Sequence, residues 1–339
     1  MALYCGIDLH STNSYIVVSD EKDQPVLDRR FPNDLDEILG GLEPFREELA
    51  GIAVESTFNW YWLVDGLMDR GHQVKLVNTA AVRQYEGLKS TDDRHDARWL
   101  AHLLRLGILP TGHIYPREDR AIRDLLRRRS KLVRQKVACL LAVKNILARN
   151  TGRSLSANAV KQLAPEDVSA FLSDEHQAMA VESTLRVMAT LKEEIRRIEK
   201  TVRAKGKLRE EFRVLLSIPG VGDTLGLTIM YETGEISRFP EVGNYSSYCR
   251  CVRTQRTSNG KKKGEGNRKN GNAHLSWAFS EAAHYAVRFQ PLARSFYQRK
   301  KAKSGKGILA NRALAHKLAR ASYFMLKNQT TYQPEMLFG

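Results

Sequence analysis

Four carboxylates stand where candidate strands end or a candidate helix begins. Asp8 and Glu55 each follow a short apolar run, and Asp93 and Asp96 lie three residues apart at the start of an amphipathic helical pattern. Residues three apart share a helix face. A carboxylate beside an apolar core is costly unless it is paired or bound to metal. Because Mg²⁺ prefers oxygen ligands, the four acids predict a site for two Mg²⁺ ions that serves in-line phosphoryl transfer.

Each acid also has a structural interpretation. Asp93 and Asp96 could simply be the negative charges that the N-terminal end of a helix dipole favours. The metal interpretation leaves one ambiguity, because Asp92 lies four residues before Asp96 and could face the metals in place of Asp93. The occurrence of all four acids in this order in a basic protein favours the metal site.

The charge of the chain is divided between two regions. The 339 residues carry a formal net charge of +16, yet residues 1–116 hold 11 Lys and Arg against 18 Asp and Glu, a net of −7. Residues 117–339 hold 43 against 20, a net of +23. Such a basic region predicts a polyanionic partner. Basic charge alone would also suit a ribosomal protein, a repressor or a protein of membrane surfaces, so only the acidic region discriminates among them.

Composition narrows the class of protein further. No apolar run reaches the roughly 18 residues that a membrane span needs, and the first ten residues lack the pattern of a signal peptide. We therefore expect a cytoplasmic protein and no membrane partner. Four cysteines are too few for a disulfide scaffold, and Cys249 and Cys251 lack a second ligand pair at zinc spacing. Reduced, structural thiols are expected.

The first region alternates as an α/β domain does. Three short β-rich runs over residues 4–8, 15–19 and 26–31 predict a meander, after which a helix, a buried strand at 51–55, a helix at 60–68 and a strand at 73–77 follow. Asn33 and Asp34 offer caps for the first helix. This order is that of an RNase-H-type or RuvC-like fold, although doubly wound folds also alternate.

Long helices are predicted beyond Pro110 and Pro116. Apolar residues recur every seven positions from Leu126 to Leu147 and again from Val181 to Val202, which predicts an antiparallel coiled-coil arm. Residues 117–136 carry nine Lys and Arg against three acids. They form either a solvated helix face or a track for a phosphate backbone. The track interpretation selects Arg127, Arg128, Arg129, Lys131 and Arg134.

The last third predicts a mostly α-helical domain. It opens with Ile218-Pro219-Gly220-Val221-Gly222, which resembles the turn of a helix-hairpin-helix, where Gly220 and Gly222 would let backbone N–H groups approach a phosphate; a plain helix-helix turn is the alternative. Residues 254–272 then form a polar loop, and helices are expected at 274–288 and 310–327. The predicted organisation is a RuvC-like domain at 1–112, a coiled-coil arm at 113–205 and a C-terminal domain at 206–339.

These motifs occur together in one family. The sequence resembles insertion-sequence transposases that join an N-terminal DEDD, RuvC-like domain to a C-terminal domain bearing a reactive serine, the enzymes described as bridge-RNA-guided or seekRNA-guided recombinases. The matching segments are Gly6-Ile7-Asp8, residues 54–57, residues 91–98, residues 218–222, residues 258–261 and residues 267–272. They span nearly the whole chain. The family pattern D-x-x-D-A selects Asp93 and Asp96.

The resemblance implies a reaction. The serine of the polar loop, here Ser258, would attack a DNA phosphodiester and form a covalent phosphoserine, with Asn259 standing where the family usually has Gly. Without the resemblance, a serine in such a loop is ordinarily part of a flexible linker. No His base is evident nearby, so Mg²⁺ at the carboxylates would have to assist the hydroxyl. Five cations could neutralise phosphates around the attack point: Lys261, Lys262, Lys263, Arg268 and Lys269.

The resemblance also implies partners, and association with the bacterial nucleoid when the protein is bound to DNA. The partners are donor DNA, target DNA and a structured non-coding guide RNA, so that base pairing would read sequence while the protein reads backbone shape and charge. A heptad arm and a site divided between domains favour a homodimer or tetramer, with Ser258 acting in cis or in trans.

Two other functions compete with this one. In an RNase-H-type nuclease or Holliday-junction resolvase, metal-activated water would attack and Ser258 would be a bystander. In a non-catalytic nucleic-acid-binding protein, the carboxylates would be structural. Free hydrolysed ends would favour the nuclease, and rejoined strands the recombinase.

Overall fold

The computed structural model describes residues 1–82, 92–252, 255–265 and 270–338, with residues 255, 256, 262 and 265 described by their backbone only. The chain divides into two compact units, Met1–Ile114 and Tyr115–Gly339. The two long predicted helices belong to the second unit together with the C-terminal helices. The finer division into three domains stays a prediction.

The first unit is a mixed α/β domain. Its elements are β1 (Leu3–Leu9), β2 (Asn13–Ser19), β3 (Pro25–Pro32), α1 (Leu35–Leu42), β4 (Leu49–Glu55), α2 (Tyr61–Asp69), β5 (Val74–Val77) and α3 (Asp93–Arg105), with a 3-10 turn at Glu43–Phe45. The sheet has the order β3-β2-β1-β4-β5. The meander β1–β2–β3 is antiparallel, and β1, β4 and β5 are parallel neighbours. The predicted order of strands and helices is confirmed.

Both faces of this sheet are covered, which explains why its central strands are apolar along their whole length. On β4, Ile52 and Val54 join the core that includes α1 and α2, whereas the alternate residue Ala53 packs with Leu100 of α3. Helix α1 begins where predicted, because the side chain of Asp34 accepts hydrogen bonds from the N–H groups of the first turn. Alternation along the strands therefore assigns each residue to one of two helical layers.

The second unit is helical apart from one hairpin in its described part. Its elements are α4 (Arg117–Thr151), α5 (Ala157–Gln162), α6 (Glu175–Gly206), α7 (Glu210–Leu216), α8 (Asp223–Thr233), α9 (Val242–Tyr248), β6 (Gln255–Ser258), β7 (Lys261–Glu265), α10 (Ala273–Phe289), α11 (Pro291–Ser304), α12 (Gly307–Asn328) and α13 (Pro334–Phe338), with 3-10 turns at Pro165–Ala170 and Ile236–Arg238. The residues predicted as one polar loop thus include an antiparallel β-hairpin, which corrects that expectation in part.

The two long helices pack along each other. At the far end of the arm, Leu140 and Leu147 of α4 share a small core with Val181 and Leu185 of α6. At the near end, Leu126 joins the large core of the second unit. Most of the heptad residues are therefore buried as their spacing predicts, and Val133 and Met188 are half-buried against the same cores. The supercoiled geometry of a coiled coil stays a prediction. Within the described residues, no helix is both long enough and apolar enough to cross a bilayer.

Candidate active site

Asp8 and Glu55 meet at one edge of the sheet. Strands β1 and β4 are parallel neighbours in which Ile7 pairs with Val54, so the two acids follow paired residues directly. Asp8 is 3% exposed and is hydrogen bonded to Glu55. Parallel pairing carries both carboxylates to the same side of the molecule, as the sequence predicted.

A glycine lets α3 lie against the sheet beside them. A Cβ on Gly6 would stand 2.0 Å from the carbonyl oxygen of Ala97 and 2.7 Å from the nitrogen of Ala101, so the helix backbone rests directly on β1. Asp93 and Asp96 occupy the first turn of this helix. Because α3 is held so close, its first turn brings both carboxylates to the end of β1.

The roles of the neighbouring acids at the helix start differ. Asp92 is the N-cap residue, and its side chain accepts a hydrogen bond from the N–H of His95 at 2.8 Å. Asp93 instead contacts Arg30, whose Nη2 lies 2.6 Å from Oδ2. Asp92 is therefore occupied in capping, and the geometry favours Asp93 as the acid that faces the other carboxylates.

His10 lies between two of the carboxylates. Its Nε2 atom is 3.0 Å from Oδ2 of Asp8 and 3.2 Å from Oδ1 of Asp93. One ligand atom from each of these three residues lies within 4.8 Å of the others. His10 was not predicted from the sequence, although a signal was present: residues two apart along an extended backbone point to the same side, and His10 follows Asp8 by two.

The acids interact strongly. Burial, a hydrogen bond with Asp8 and the negative charges of Asp8 and Asp96 raise the pKa of Glu55 to about 8. Burial and the charge of Asp8 likewise raise the pKa of Asp96, with smaller contributions from Asp93 and Asp92 and an opposing one from His95. Carboxylates pressed together hold protons unless a cation neutralises them.

The site opens into a cavity of about 290 Å³. Glu55 and Asp96 line it, together with Thr79, Val82 and Trp99. Hard oxygen donors with one imidazole suit a divalent cation, and the raised pKa of Glu55 marks a carboxylate that lacks a compensating positive charge. The residues present therefore fit the divalent metal that a DEDD site implies.

Ion pairs between helix α3 and the β1–β2–β3 meander hold the helix in place. The guanidinium of Arg94 lies 2.7 Å from Asp28 of β3, and that of Arg105 lies 2.6 Å from Asp23 in the turn before β3. His102 also contacts Asp23, at 2.9 Å. These contacts connect both ends of the helix to the meander, so they support the position of its first turn.

Ser258 belongs to the second unit and ends β6. It pairs with Lys261 across a two-residue turn, in which Asn259 and Gly260 have φ angles of 49° and 70°. Positive φ at both positions is typical of a type I′ turn, for which Asn-Gly is the preferred pair. The Ser258 side chain is exposed at the end of this short hairpin. The hairpin could have been predicted from Asn-Gly, but its strands lack the apolar alternation that usually accompanies that signal.

The remaining residues of the predicted basic loop are described in part. Lys261 and Lys263 lie exposed on β7, beside Ser258. For Lys262 only the backbone is described, and Arg268 and Lys269 lie outside the described residues. Their contact with phosphates stays a prediction.

The predicted basic track on α4 contains two kinds of residue. Arg127 forms a two-pronged ion pair with Glu232, at 2.6 and 2.8 Å, and Arg129 lies 2.7 Å from Glu199. The other three predicted residues are exposed: Arg128, Lys131 and Arg134. A phosphate track on this helix would therefore depend on the exposed residues, because the charges of Arg127 and Arg129 already have partners.

Glu232 was also not predicted from the sequence; it is a carboxylate 1% exposed within the apolar helix α8. Besides the ion pair with Arg127, it accepts a hydrogen bond at 2.7 Å from the side-chain nitrogen of Asn272, whose side-chain oxygen accepts from the first N–H groups of α10. Arg127 and Asn272 together lower the pKa of Glu232 in spite of its burial. These contacts connect α4, α8 and the start of α10, which are separate in sequence. In the sequence, the only indication of them is a single Glu in an otherwise apolar helix.

The two glycines of the Ile-Pro-Gly-Val-Gly turn have different surroundings. Gly220 has φ 91°, and a Cβ there would stand 2.7 Å from that of Tyr285, so this glycine allows close packing against α10. A Cβ on Gly222 would meet nothing within 4 Å, and Gly222 is the N-cap of α8. Gly222 therefore has the open surroundings that a phosphate needs, whereas Gly220 is required by packing. The helix-hairpin-helix assignment stays a prediction.

Comparisons with known proteins match two successive regions of the chain. Residues 5–150 match a DEDD transposase model of the IS110 type, and residues 212–298 match the model described as the transposase IS116/IS110/IS902 family. A probable family 20 transposase of Pseudomonas aeruginosa is 22% identical over an alignment of 305 positions, which covers 84% of this chain and 86% of that protein.

A second relative matches over a shorter segment. An uncharacterized 43.6 kDa protein of insertion element IS110 from Streptomyces coelicolor is 28% identical over 126 residues, which are 37% of this chain and 31% of that protein. Since both family models match in chain order and one relative aligns over most of the length, the protein belongs to the IS116/IS110/IS902 family of transposases.

Proposed function

We propose that this transposase cuts and rejoins DNA through a covalent phosphoserine at Ser258, with a RuvC-like DEDD site of Asp8, Glu55, Asp93 and Asp96 as its metal centre. The observation that carries the proposal is the convergence of the four carboxylates. Asp8 and Glu55 are hydrogen bonded, Asp96 is close enough for its charge to raise the pKa of Glu55, and His10 connects Asp8 to Asp93. The exposed position of Ser258 agrees with attack on an external substrate.

The acids would hold two Mg²⁺ ions, which when bound would neutralise the attacked phosphate and lower the pKa of a coordinated hydroxyl. In the proposed step, the Ser258 oxygen forms a bond to phosphorus as the bond from phosphorus to the 3′ oxygen of the strand breaks. The serine proton leaves to solvent, and the released 3′ oxygen takes one up. One ester replaces another, so no nucleotide hydrolysis is needed.

The residues around Ser258 would position the strand. Lys261 and Lys263 are exposed on the neighbouring strand of the hairpin, where their charges can neutralise phosphates beside the attack point. Attack by a second 3′ hydroxyl on the phosphoserine reverses the step and joins a new pair of strands. Donor and target DNA are the two substrates of this exchange.

Trapping on a nicked suicide DNA substrate tests this reaction. Wild-type protein with Mg²⁺ should accumulate a covalent DNA adduct that mass spectrometry locates on Ser258, and Ser258→Ala should form none. Thr257→Val is the matched control, since Thr257 is exposed on the same strand one residue away; it should retain the adduct. Adducts that persist in Ser258→Ala would refute the proposal. Free hydrolysed ends without any adduct would favour the nuclease.

We further propose a structured guide RNA and a homodimer or tetramer. The net charge of +23 over residues 117–339 supports a large polyanionic partner. Sequencing the RNA that co-purifies from cells carrying the native flanking DNA tests the guide: one enriched transcript from beside the gene is expected, and bulk cellular RNA without enrichment would contradict it. Sedimentation with and without that RNA measures the oligomer.

A further inference from the structure

A long basic stretch near the C-terminal end has no role in the function proposed above. Residues 282–334 contain eleven Lys and Arg and no Asp or Glu. They form the end of α10 and all of α11 and α12. An amphipathic helix of a soluble protein ordinarily mixes both signs of charge on its exposed face, so a run of one sign indicates a partner of the opposite charge.

Three of these cations surround one aromatic ring, and a fourth, Arg320, lies close enough to Lys317 to affect its pKa. The guanidinium carbon of Arg299 and the Nζ atoms of Lys300 and Lys317 lie 5.8, 5.6 and 5.2 Å from the ring centroid of Phe296. Burial lowers the pKa of Lys317, and the charges of Arg299, Arg320 and Lys300 lower it further. In the part of the chain that the structure describes, none of the four forms an ion pair with a carboxylate.

This cation cluster (Arg299, Lys300, Lys317 and Arg320) repels itself in the free protein. Arg299, Lys300 and Arg320 are exposed, whereas Lys317 is half-buried and donates a hydrogen bond to the carbonyl oxygen of Leu337. An anion with several oxygens can contact several cations at once, and its negative charge then reduces the repulsion between them. A nucleic-acid backbone supplies such oxygens at a regular spacing.

A cavity of about 490 Å³ adjoins the cluster. Lys317 and Arg320 form part of its wall, and Phe324, Tyr332 and Met336 lie on the same lining. The side chain of Phe324 is 46% exposed. Cations beside an exposed aromatic ring are typical of proteins that bind single strands, whose unpaired bases can stack on the ring. A duplex keeps its bases stacked within the helix and offers none to such a cavity.

We propose that this surface binds single-stranded nucleic acid, with phosphates on Arg299, Lys300, Lys317 and Arg320 and one base in the cavity against Phe324. The proposal rests on the proposed function only in taking nucleic acid as the substrate. It assigns no chemistry to the surface, which would hold a strand and leave cutting to the acidic site. The strand can be RNA or displaced DNA, since both present the same phosphates and stacking bases.

Fluorescence anisotropy of the full-length protein in EDTA tests the site. The probes are a labelled single-stranded DNA, an RNA of the same sequence and the corresponding DNA duplex, each titrated at several salt concentrations. Arg299→Gln with Lys300→Gln should weaken binding of both single strands and make the log–log salt dependence shallower by about 1.4, or about 0.7 per lost phosphate contact. Phe324→Ala should weaken single strands about tenfold, with the salt dependence and the duplex affinity unchanged.

Two matched controls separate position from net charge. Arg153→Gln with Lys161→Gln removes two exposed cations from the arm and should leave the salt dependence as in wild type. Arg299→Lys with Lys300→Arg keeps both charges and should retain wild-type binding. An unchanged salt dependence in the Arg299 and Lys300 double variant would overturn the proposal. So would an equal effect of the arm variant, or an equal loss of duplex binding in Phe324→Ala.

Two further results have a defined meaning. If the Arg299 and Lys300 double variant loses binding to vesicles containing anionic lipid while binding nucleic acid as wild type does, the surface is a membrane site and the proposal is wrong. The Ser258 adduct assay remains separate, because a short nicked substrate can be driven onto the protein at high concentration. If wild-type protein forms the Ser258 adduct but the Arg299 and Lys300 double variant keeps the wild-type salt dependence, only this binding site is refuted. If the salt dependence changes as expected but no adduct forms, only the proposed function is refuted.

Discussion

Glu55 is hydrogen bonded to Asp8 at the ends of two parallel strands, and burial together with this contact raises the pKa of Glu55 to about 8. A carboxylate with a raised pKa binds a proton in the folded protein that it releases in the unfolded chain. Without metal, the contribution of Glu55 to stability is therefore present below about pH 4.5 and is lost as the pH rises through 8. A bound divalent cation reverses this effect, because it favours the ionised form.

The first prediction concerns metal affinity and pH. Since binding displaces a proton from Glu55, Mg²⁺ affinity should rise about tenfold per pH unit below pH 8 and level off above it. Calorimetry from pH 6 to 9 in two buffers of different ionisation enthalpy measures both the affinity and the released proton. Glu55→Gln should bind more weakly and lose this pH dependence. Glu47→Gln changes an exposed carboxylate and is the control, which should behave as wild type. If Mg²⁺ affinity in Glu55→Gln still rose tenfold per pH unit, Glu55 would not be the residue that releases the proton.

The second prediction concerns the glycine beneath α3. A methyl group on Gly6 would overlap the carbonyl oxygen of Ala97, so Gly6→Ala should displace α3 and cost about 1–3 kcal/mol of stability. It should also weaken metal binding, because Asp93 and Asp96 move with the helix. Gly40→Ala is the matched control: nothing lies within 4 Å of its added methyl group, and α1 should be unchanged or slightly stabilised. Thermal unfolding of both variants measures the difference, and equal effects would contradict the close approach.

The third prediction separates structural from nucleic-acid-binding arginines on α4. Arg127→Gln removes the charged partner of the buried Glu232 and leaves only the hydrogen bond from Asn272, so it should cost about 3–5 kcal/mol of stability. Arg128→Gln, one residue along and exposed, should leave stability nearly unchanged but make the salt dependence of duplex DNA binding shallower by about 0.9. Denaturation and anisotropy titrations on the same two proteins provide the comparison. Equal stability of the two variants would show that the Arg127 pair contributes nothing.

The fourth prediction concerns His10. Its imidazole lies within reach of both Asp8 and Asp93, and imidazole nitrogen suits Mn²⁺ better than Mg²⁺. His10→Gln should therefore lower Mn²⁺ affinity by about tenfold or more and Mg²⁺ affinity by less. His72→Gln, which alters a histidine before β5, is the control. Equal loss of both metals in His10→Gln would assign His10 to charge compensation between the acids and not to metal binding.

Local features of the sequence determined most of the fold. Alternating and continuous apolar runs predicted the strands, and Asp34 predicted the start of a helix. The seven-residue repeat of apolar residues from Leu126 predicted a long helix, which the structure contains. These features succeed because strand and helix periods are properties of neighbouring residues. The candidate acids could also be predicted from neighbouring residues, because a carboxylate next to an apolar run can be recognised without knowing which residue it contacts.

The tertiary structure decided which of those residues meet. The need for glycine at position 6 comes from Ala97, more than ninety residues away, and Arg127 is paired because Glu232 lies on another helix. Charge alone made Arg127 and Arg128 look equivalent, and only packing distinguishes them. The grouping of Arg299, Lys300 and Lys317 around Phe296 likewise requires two helices to lie side by side. The periodicity of a sequence reflects the helical or extended conformation that neighbouring residues adopt. Contacts between distant segments depend on how the helices and strands pack, which periodicity does not specify.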